Sequence, residues 1–423
     1  EGSDAWYLRE PEEFLPKDLK CDACGHGEFV KEMDIMDVWF DSGVSHAAVC
    51  NEAHGLRWPA DLYLEGADQY RGWFQSALLT SVAWKGVAPY KSVCTHGWVV
   101  DGEGKAMHKS LGNGMAPDEV TGTFGADILR IWVASSDYHA DIRISPDILK
   151  QLAEVYRKIR NTARFILSNL YDFEPDTDSV PLEKIGGIDK WALARLDQIA
   201  AECREAYEKL DYHIVYSTIR DFCTTDLSNF YLDILKDRLY VEKADSEARR
   251  AAQTVIYKIL RTMTLHLAPV LCFTAEEIWG YLPRSAEDDG ESVFLNQLPA
   301  ASGVGADEAF MEKWQKIDEL RDLVNKSLED ARAEKRIGKS LEAKVVLRCG
   351  GDVYAFAKSV EEELPEAFIV SAVQIERGEH DGYEVGVEIA EGEKCARCWV
   401  QSATVGRSAK HPTLCVRCAE IVG

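Results

Sequence analysis

The stretch that decides the reading runs Asp101-Gly102-Glu103-Gly104-Lys105-Ala106-Met107-His108-Lys109-Ser110-Leu111-Gly112-Asn113, polar, bracketed by glycine and centred on lysine. A loop of this make-up can close its backbone N–H groups and ammonium groups over a phosphate chain. By itself the pattern is weak, because a turn rich in Gly and Lys between a strand and a helix is more often a plain connection. Its neighbours on both sides decide between the two.

From Asp37 to about Ser145, short apolar runs alternate with helix-like stretches such as 72–84. The runs are Val38-Trp39-Phe40, Asp61-Leu62-Tyr63-Leu64 and Ser92-Val93-Cys94-Thr95, and the alternation predicts an α/β layer with a parallel sheet. Next, Ser145-Pro146-Asp147 joins a helix N-cap to a proline in the first turn. Apolar residues then recur at Ile148, Leu152, Tyr156, Ile159, Ala163, Ile166 and Leu170, the stripe of a long amphipathic helix. The same periodicity over 189–207, 212–239, 246–267 and 274–281 predicts an antiparallel α-helical bundle. Residues 285–307 turn to Gly, Ser, Ala and acids and read as a linker at a domain boundary, followed by a helix over 308–336. Lys344–Arg348 and Tyr383–Glu388 read as strands with a helix between them, a small α+β unit.

Composition bounds the rest. A chain of 423 residues exceeds one ordinary core, so two to four domains are expected, and 46% apolar residues ensure that they fold. No run approaches the roughly 18 to 20 apolar residues of a membrane span, and no basic-then-apolar leader opens the sequence, so a cytoplasmic protein with no membrane partner is expected. The opening Glu1-Gly2-Ser3, without methionine, reads as the middle of a longer chain. A net charge of −24 excludes indiscriminate nucleic-acid binding, so any RNA contact must be local.

Cys395-x-x-Cys398 is followed by Cys415-x-x-Cys418, the spacing of a closed, tetrahedral four-thiolate zinc ribbon, and hence of a structural Zn2+. Zinc at ~2.3 Å from each sulfur would replace the core that so short a segment lacks. Between Lys394 and Cys418 stand Lys394, Arg397, Arg407, Lys410 and Arg417, with no Asp or Glu and with Trp399 among them. This basic knob suits phosphate pairing and base stacking, with a solvated surface as the rival reading. Cys21-x-x-Cys24 reads as half of a further ribbon, with too few ligands in this chain to complete it.

Two further segments, Asp37–Gly43 and Leu64–Phe74, mix aromatics with carboxylates and glycines. A free amino acid needs a carboxylate for its ammonium group, an apolar wall for its side chain and glycine where backbone comes close. Taken singly, Trp39 and Trp73 would be core aromatics and the acids helix caps.

Together these segments resemble a known family. The Lys109 loop is similar to the Lys-Met-Ser-Lys-Ser signature of class I aminoacyl-tRNA synthetases, with Thr95-His96-Gly97 before it and Gly125-Ala126-Asp127-Ile128-Leu129-Arg130 after it. It departs from that signature at Ala106, where the first lysine belongs, and at His108, where the middle serine belongs. Lys105 is the nearest substitute cation. The pocket segments resemble the isoleucyl, valyl and leucyl subgroup, and Glu391–Trp399 with the second cysteine pair resembles the bacterial isoleucyl enzymes, in particular their carboxy-terminal half.

The resemblance implies a multidomain α/β plus α protein. Residues 1–36 would end an inserted region, 37–145 would be the second half of a Rossmann-like catalytic domain, and 146–284 a helical anticodon-binding bundle. Residues 285–390 would form a linker, helix and small α+β unit, and 391–423 the zinc module. The implied activity is ATP-dependent conversion of L-isoleucine to isoleucyl-adenylate, with Mg2+ accompanying ATP, and transfer to tRNA(Ile) by a monomeric ligase. Lys109 would be catalytic, within an ATP loop of Lys105, Met107, His108, Lys109 and Ser110. Glu65, Gly66, Asp68, Gln69, Trp73 and Trp39 would line the adenylate pocket. Arg157, Arg160 and Arg164 on the first bundle helix, together with Arg397, Trp399, Arg407, Lys410 and Arg417, would meet tRNA; for the helix, a solvated basic face is the even alternative. No His-x-Gly-His-like signature precedes the loop, and no editing domain is expected, so the chain alone is expected to be inactive. The rival readings are a non-catalytic tRNA-binding fragment, and the same chemistry with valine or leucine.

Overall fold

The computed structural model describes residues 2–379 and 382–423, except for the side chain of Lys109. Two compact units form: residues up to Trp98 together with His139–Asp141, and Val99–Tyr138 together with Ile142–Gly423.

The first unit is built around a βαβ crossover. Strand β1 (Ala60–Gly66) is followed by a helix over Trp73–Lys85 and by strand β2 (Tyr90–His96), which pairs parallel to β1 with Gly66 opposite His96. Tyr63, Phe74 and Ala77 are buried between sheet and helix. The run Val38-Trp39-Phe40, read above beside the strand candidates, is instead the start of helix α1 (Val38–Gly43), capped by Asp37, whose carboxylate accepts from Trp39 N–H at 2.7 Å. An aspartate cap outweighs the strand preference of three apolar residues. The crossover helix is α2.

In the second unit, β3 (Val99–Val100) pairs parallel with β4 (Ile142–Arg143), and helices α3 (Pro117–Phe124) and α4 (Ala126–Ala134) lie between them in sequence. Val120, Ile128, Trp132, Ile144 and Leu149 form a small core that includes the start of α5 (Pro146–Ser168). That shared core explains why the compact units divide after residue 98, inside the segment 37–145 expected to act as one domain.

Helix α5 begins where expected, with Ser145 Oγ accepting from Ile148 N–H at 3.3 Å. The bundle continues through α6 (Gly187–Lys209), α7 (Tyr212–Asp221), a π-helical stretch (Phe222–Tyr231), α8 (Lys236–Val241), α9 (Glu247–Leu267) and α10 (Cys272–Tyr281). Leu193, Phe222, Val255 and Ile256 are fully buried, and each such side chain stabilises the fold by about 1.5–3 kcal/mol. Truncating Leu193 to alanine would cost about 2–5 kcal/mol, because the packed helices around it cannot collapse onto the void.

Two side chains of α4 clasp the turn between α9 and α10. Asp127 accepts from Thr274 N–H at 2.8 Å and Thr274 Oγ1–H at 2.5 Å, supplying the cap that α10 lacks in its own sequence. Arg130 donates to the carbonyls of Val270 at 2.9 Å and Pro269 at 2.6 Å, just beyond the carboxyl end of α9.

The 285–307 stretch, expected as a linker, is strapped to the bundle. Ser302 donates to Asp197 from N at 2.7 Å and Oγ at 2.6 Å, Arg204 reaches Pro299 O at 2.6 Å, and Arg261 pairs with Asp288 at 2.5 Å. Helix α11 (Glu308–Ala333) then buries Trp314, Ile317, Leu320, Val324, Leu328 and Ala331 against the same core. Its i, i+3, i+4 stripe packs on α6 of the bundle and on the small α+β unit that follows, so one core runs through both.

Strands β5 (Ala343–Cys349) and β7 (Glu384–Ile389) match the expected pair. A third strand, β6 (Ala372–Arg377), lies parallel to β5 on its other side, giving the order β6-β5-β7. Two short helices, α12 (Gly351–Ser359) and α13 (Leu364–Phe368), connect β5 to β6. Among the described residues no helix is long and apolar enough to cross a membrane.

Candidate active site and metal centre

At the carboxyl end of β1, Glu65 stands opposite Thr95, and Gly66 opposite His96. This end of parallel strands is where open α/β layers leave room for ligands. Glu65 is exposed, and its carboxylate has no hydrogen bond or ion pair among the described residues. Gln69 joins its neighbours: its Nε2 donates to Asp68 at 3.1 Å and its Oε1 accepts from Trp73 N–H at 2.8 Å. The Trp73 indole stacks on Tyr63 at 4.5 Å and donates to Ser42 O at 2.9 Å, which ties α2 to α1. Trp39 leaves about half its surface, 51%, in solvent, and its ring passes so close to Gly72 that a Cβ there would sit 2.9 Å from Cη2. A side chain at position 72 would force both the indole and the Gln69 amide, 2.7 Å from that Cβ, to shift. Five of the expected pocket residues are thus linked round the turn from β1 into α2, Gly66, Asp68, Gln69 and Trp73 along it and Trp39 against Gly72, with Glu65 preceding them on β1.

The lysine loop, in the other unit, is organised by Asp101 and Asn113. Asp101 Oδ1 accepts from the N–H groups of Glu103 at 3.0 Å and Lys105 at 2.9 Å, closing the Gly-x-Gly turn. Asn113 spans the loop mouth, donating to Asp101 Oδ2 at 2.8 Å and Ala106 O at 3.1 Å while accepting from His108 N–H at 2.9 Å. The Asn113 amide and the Lys105 N–H hold the Asp101 carboxyl below the usual carboxylate range. Met107 packs against the small core beside Val120, while His108 and Ser110 are exposed. Lys105, the substitute cation, pairs with Glu103 at 2.7 Å. The backbone of Lys109 opens a short 3-10 turn, Lys109–Leu111; its side chain lies outside the described residues. Sequence reading quoted Asn113 but gave it no role; an Asp-Gly-x-Gly turn followed by a distant Asn is the signal that points to it.

The four cysteines 395, 398, 415 and 418 are buried, and their sulfurs lie within 4.8 Å of one another. Cys398 and Cys415 are 3.8 Å apart, matching the edge of a tetrahedron with ~2.3 Å metal–sulfur bonds. Burial pushes the Cys398 and Cys418 thiols up, whereas at Cys395 burial is outweighed by the N–H groups of Cys398, Cys415 and Arg397, which bring it down to about 6, so a bound cation is what would hold all four as thiolates. Four convergent soft donors with no open position suit structural zinc. The module is anchored to α8, where Val241 packs among the cysteines and Arg417 forms a fork with Asp237 at 2.7 and 2.8 Å.

That anchoring redistributes the basic residues expected to meet RNA. Arg417 is committed to Asp237, Arg397 leans on Cys418 Sγ at 3.9 Å, and Lys410 donates to Gly423 O. Arg407 is exposed and without a side-chain partner among the described residues, and Trp399 is 50% exposed with Lys339 Nζ 4.5 Å above its ring. On α5, Arg157 pairs with Glu154 at 2.5 Å and Arg160 with Glu277 at 2.9 Å, while Arg164 has no such partner among the described residues.

Family models match three parts of the chain. Residues 1–145 match tRNA synthetases class I (I, L, M and V), 189–347 match the anticodon-binding domain of tRNA ligase, and 392–421 match the zinc finger found in FPG and IleRS. Isoleucine–tRNA ligase of Caldicellulosiruptor bescii is 53% identical over 423 residues, 100% of this chain. The same-named protein of Moorella thermoacetica is 50% identical over 434 aligned positions, again 100% of the chain. Over its whole length the chain thus matches part of the isoleucine–tRNA ligases. It spans about half the length of these relatives, 46% of each. Two solved structures share the fold. The LeuRS of Agrobacterium radiobacter K84, in a complex with tRNA and LeuAMS, has a TM-score of 0.54 at 15% identity over 88% of this chain and 44% of that one. The methionyl-tRNA synthetase of Mycobacterium tuberculosis, with methionyl-adenylate, has 0.51 at 20% identity, covering 63% and 55%. The zinc-finger match covers the four-cysteine cluster, so family and geometry agree on a structural zinc site.

Proposed function

We propose that this chain works within an isoleucine–tRNA ligase, which converts L-isoleucine and Mg2+-ATP to isoleucyl-adenylate and pyrophosphate and then charges tRNA(Ile). The observation that carries the reading is 53% identity over all 423 residues, a match that takes in the pocket segments, the lysine loop and the cysteine module.

Each region has a part in this reading. Glu65 and Asp68 offer negative charge to the ammonium group of the amino acid, and the aromatic edges of Trp39 and Trp73 wall its side chain. Lys109 places positive charge on the triphosphate as the carboxylate attacks the α-phosphorus, so catalysis rests on positioning and charge stabilisation without a covalent enzyme intermediate. Asn113 and Asp101 fix the root of that loop. The α5 face and the zinc module contribute to holding tRNA, through Arg164, Arg407 and Trp399 more than through Arg417, whose charge is spent on Asp237. The chain by itself holds RNA without activating an amino acid.

The test joins the chain to the segment that completes its relatives and measures ATP–pyrophosphate exchange with isoleucine, valine and leucine. Exchange fastest with isoleucine, and lost in Lys109→Ala, is expected. Faster exchange with valine or leucine would move the substrate, and no exchange with any of the three would leave only the RNA-binding reading.

A further inference from the structure

Beneath the strap of residues 285–302 lies a cavity of about 240 Å3, walled by Leu196, Asp197, Lys258, Arg261, Glu287 and Pro299 among others. It is smaller than the ~300–1,000 Å3 of pockets that take drug-sized ligands, and suits a metabolite the size of an amino acid. The wall carries four acids, Asp176, Asp197, Glu287 and Asp288, and two cations, Lys258 and Arg261. Most are already engaged. Asp176 accepts from Ser285 Oγ at 2.8 Å and Ala286 N–H at 2.9 Å, and Asp197 accepts from Ser302 N–H at 2.7 Å and Ser302 Oγ at 2.6 Å. Asp288 takes the Arg261 guanidinium, Nε at 2.8 Å and Nη2 at 2.5 Å.

Two opposite charges are left over. Lys258, on α9, is half-buried, and its ammonium group has no hydrogen bond or ion pair among the described residues. Glu287, on the strap, is exposed, and its carboxylate has none either. Burial and the Arg261 cation push the Lys258 ammonium below its usual range, and the Asp197 and Glu287 carboxylates offset them only in part. The wall is therefore one anion short at Lys258. A bound carboxylate would supply the charge-assisted hydrogen bonds that the fold does not. Lys258 and Glu287 act on each other through space without touching, so a molecule carrying both charges fits between them. Leu196, Ala200 and Pro299 give the same cavity an apolar side.

We propose that this cavity binds a free α-amino acid, with its carboxylate on Lys258, its ammonium group on Glu287 and an apolar side chain against Leu196, Ala200 and Pro299. The bound molecule would brace the strap against α9. Glu65 belongs to the other compact unit, so this site is separate from the pocket expected there and does not rest on the ligase reading.

The experiment titrates the full chain with L-leucine by calorimetry, beside two analogues that each lack one charge: isocaproate, without the amine, and isoamylamine, without the carboxylate. L-Leucine should bind saturably at millimolar concentration, and each analogue at least tenfold more weakly. Lys258→Met keeps the length of the stem; it should weaken L-leucine at least tenfold and leave isoamylamine unchanged. Glu287→Gln should weaken L-leucine several-fold and leave isocaproate no weaker. Lys258→Arg keeps the charge and should retain part of the affinity. Bound L-leucine should also slow amide exchange across 285–302. The analogues probe the native chain, so a variant that fails to fold does not remove the test. Isocaproate binding as tightly as L-leucine, or L-leucine binding that neither Lys258→Met nor Glu287→Gln alters, would overturn the proposal. So would exchange slowed over 60–74 instead of 285–302, which would place the amino acid at Glu65, and so would the absence of any saturable binding.

Discussion

The cysteine module and the lysine loop are both short, glycine-containing segments without a core of their own, and they solve that lack in opposite ways. In the module four buried sulfurs converge within 4.8 Å, Val241 packs among them and Arg417 locks the segment to Asp237. In the loop the fixed points are one carboxylate and one amide, Asp101 and Asn113, both near the root, and His108 and Ser110 face solvent. A structural site spends all its donors inward. The loop is held at its base and leaves the side chains of His108 and Ser110 in solvent.

Disturbing the two regions should give effects of very different size. Cys418→Ser, or a strong chelator, should remove about one zinc per chain and unfold residues 391–423 locally, since structural zinc contributes about 10–16 kcal/mol in small zinc domains. Metal analysis and Trp399 fluorescence would report it, and a module that stays folded without metal would reverse the contrast. The bundle gives the intermediate case. Asp189 is 3% exposed, accepts from Arg238 at 2.7 and 2.9 Å and from Tyr231 Oη at 2.7 Å, and its removal leaves a buried guanidinium without its main partner. Asp189→Ala should cost about 3–5 kcal/mol in denaturant unfolding, and a loss below about 1 kcal/mol would show that water replaces the carboxylate.

Smaller effects belong to the loop. Asn113→Ala removes hydrogen bonds worth about 0.5–1.5 kcal/mol each, yet it should leave the melting temperature within a few degrees and raise amide exchange only across 101–113. A global loss of stability would show the loop to be part of the core. The smallest effect is a pH dependence. The Asp101 carboxyl is lowered in the folded chain, so its contribution is fully present above the unfolded value of about 3.9 and is lost as the pH falls through the folded one. Protection of the loop amides, relative to their intrinsic exchange rates, should fall below about pH 3.9, and in Asn113→Ala that onset should move upward.

The helices were legible because their signals are local: Ser145 caps α5, and the apolar stripe over 148–170 needs no partner to be seen. The zinc ligands were legible because spacing alone brings the sulfurs together. What escaped depends on partners far along the chain. The 285–307 segment looks like a linker until Asp197, Arg204 and Arg261 bind it. Strand β6 carried its own signal, Val373 and Ile375 alternating with Gln374 and Glu376, but pairing with β5 is what makes it a strand. The expectation that Arg417 meets RNA could not take account of Asp237, 180 positions earlier, which pairs with it.

Asp127 and Arg130 lie in the segment that follows the lysine loop, and both are gripped by the corner joining α9 to α10. The clasp acts as a bolt at the downstream hinge. Any swing of the lysine tip would therefore be taken up ahead of α3, over residues 101–116, because α4 beyond it is held to the helical scaffold.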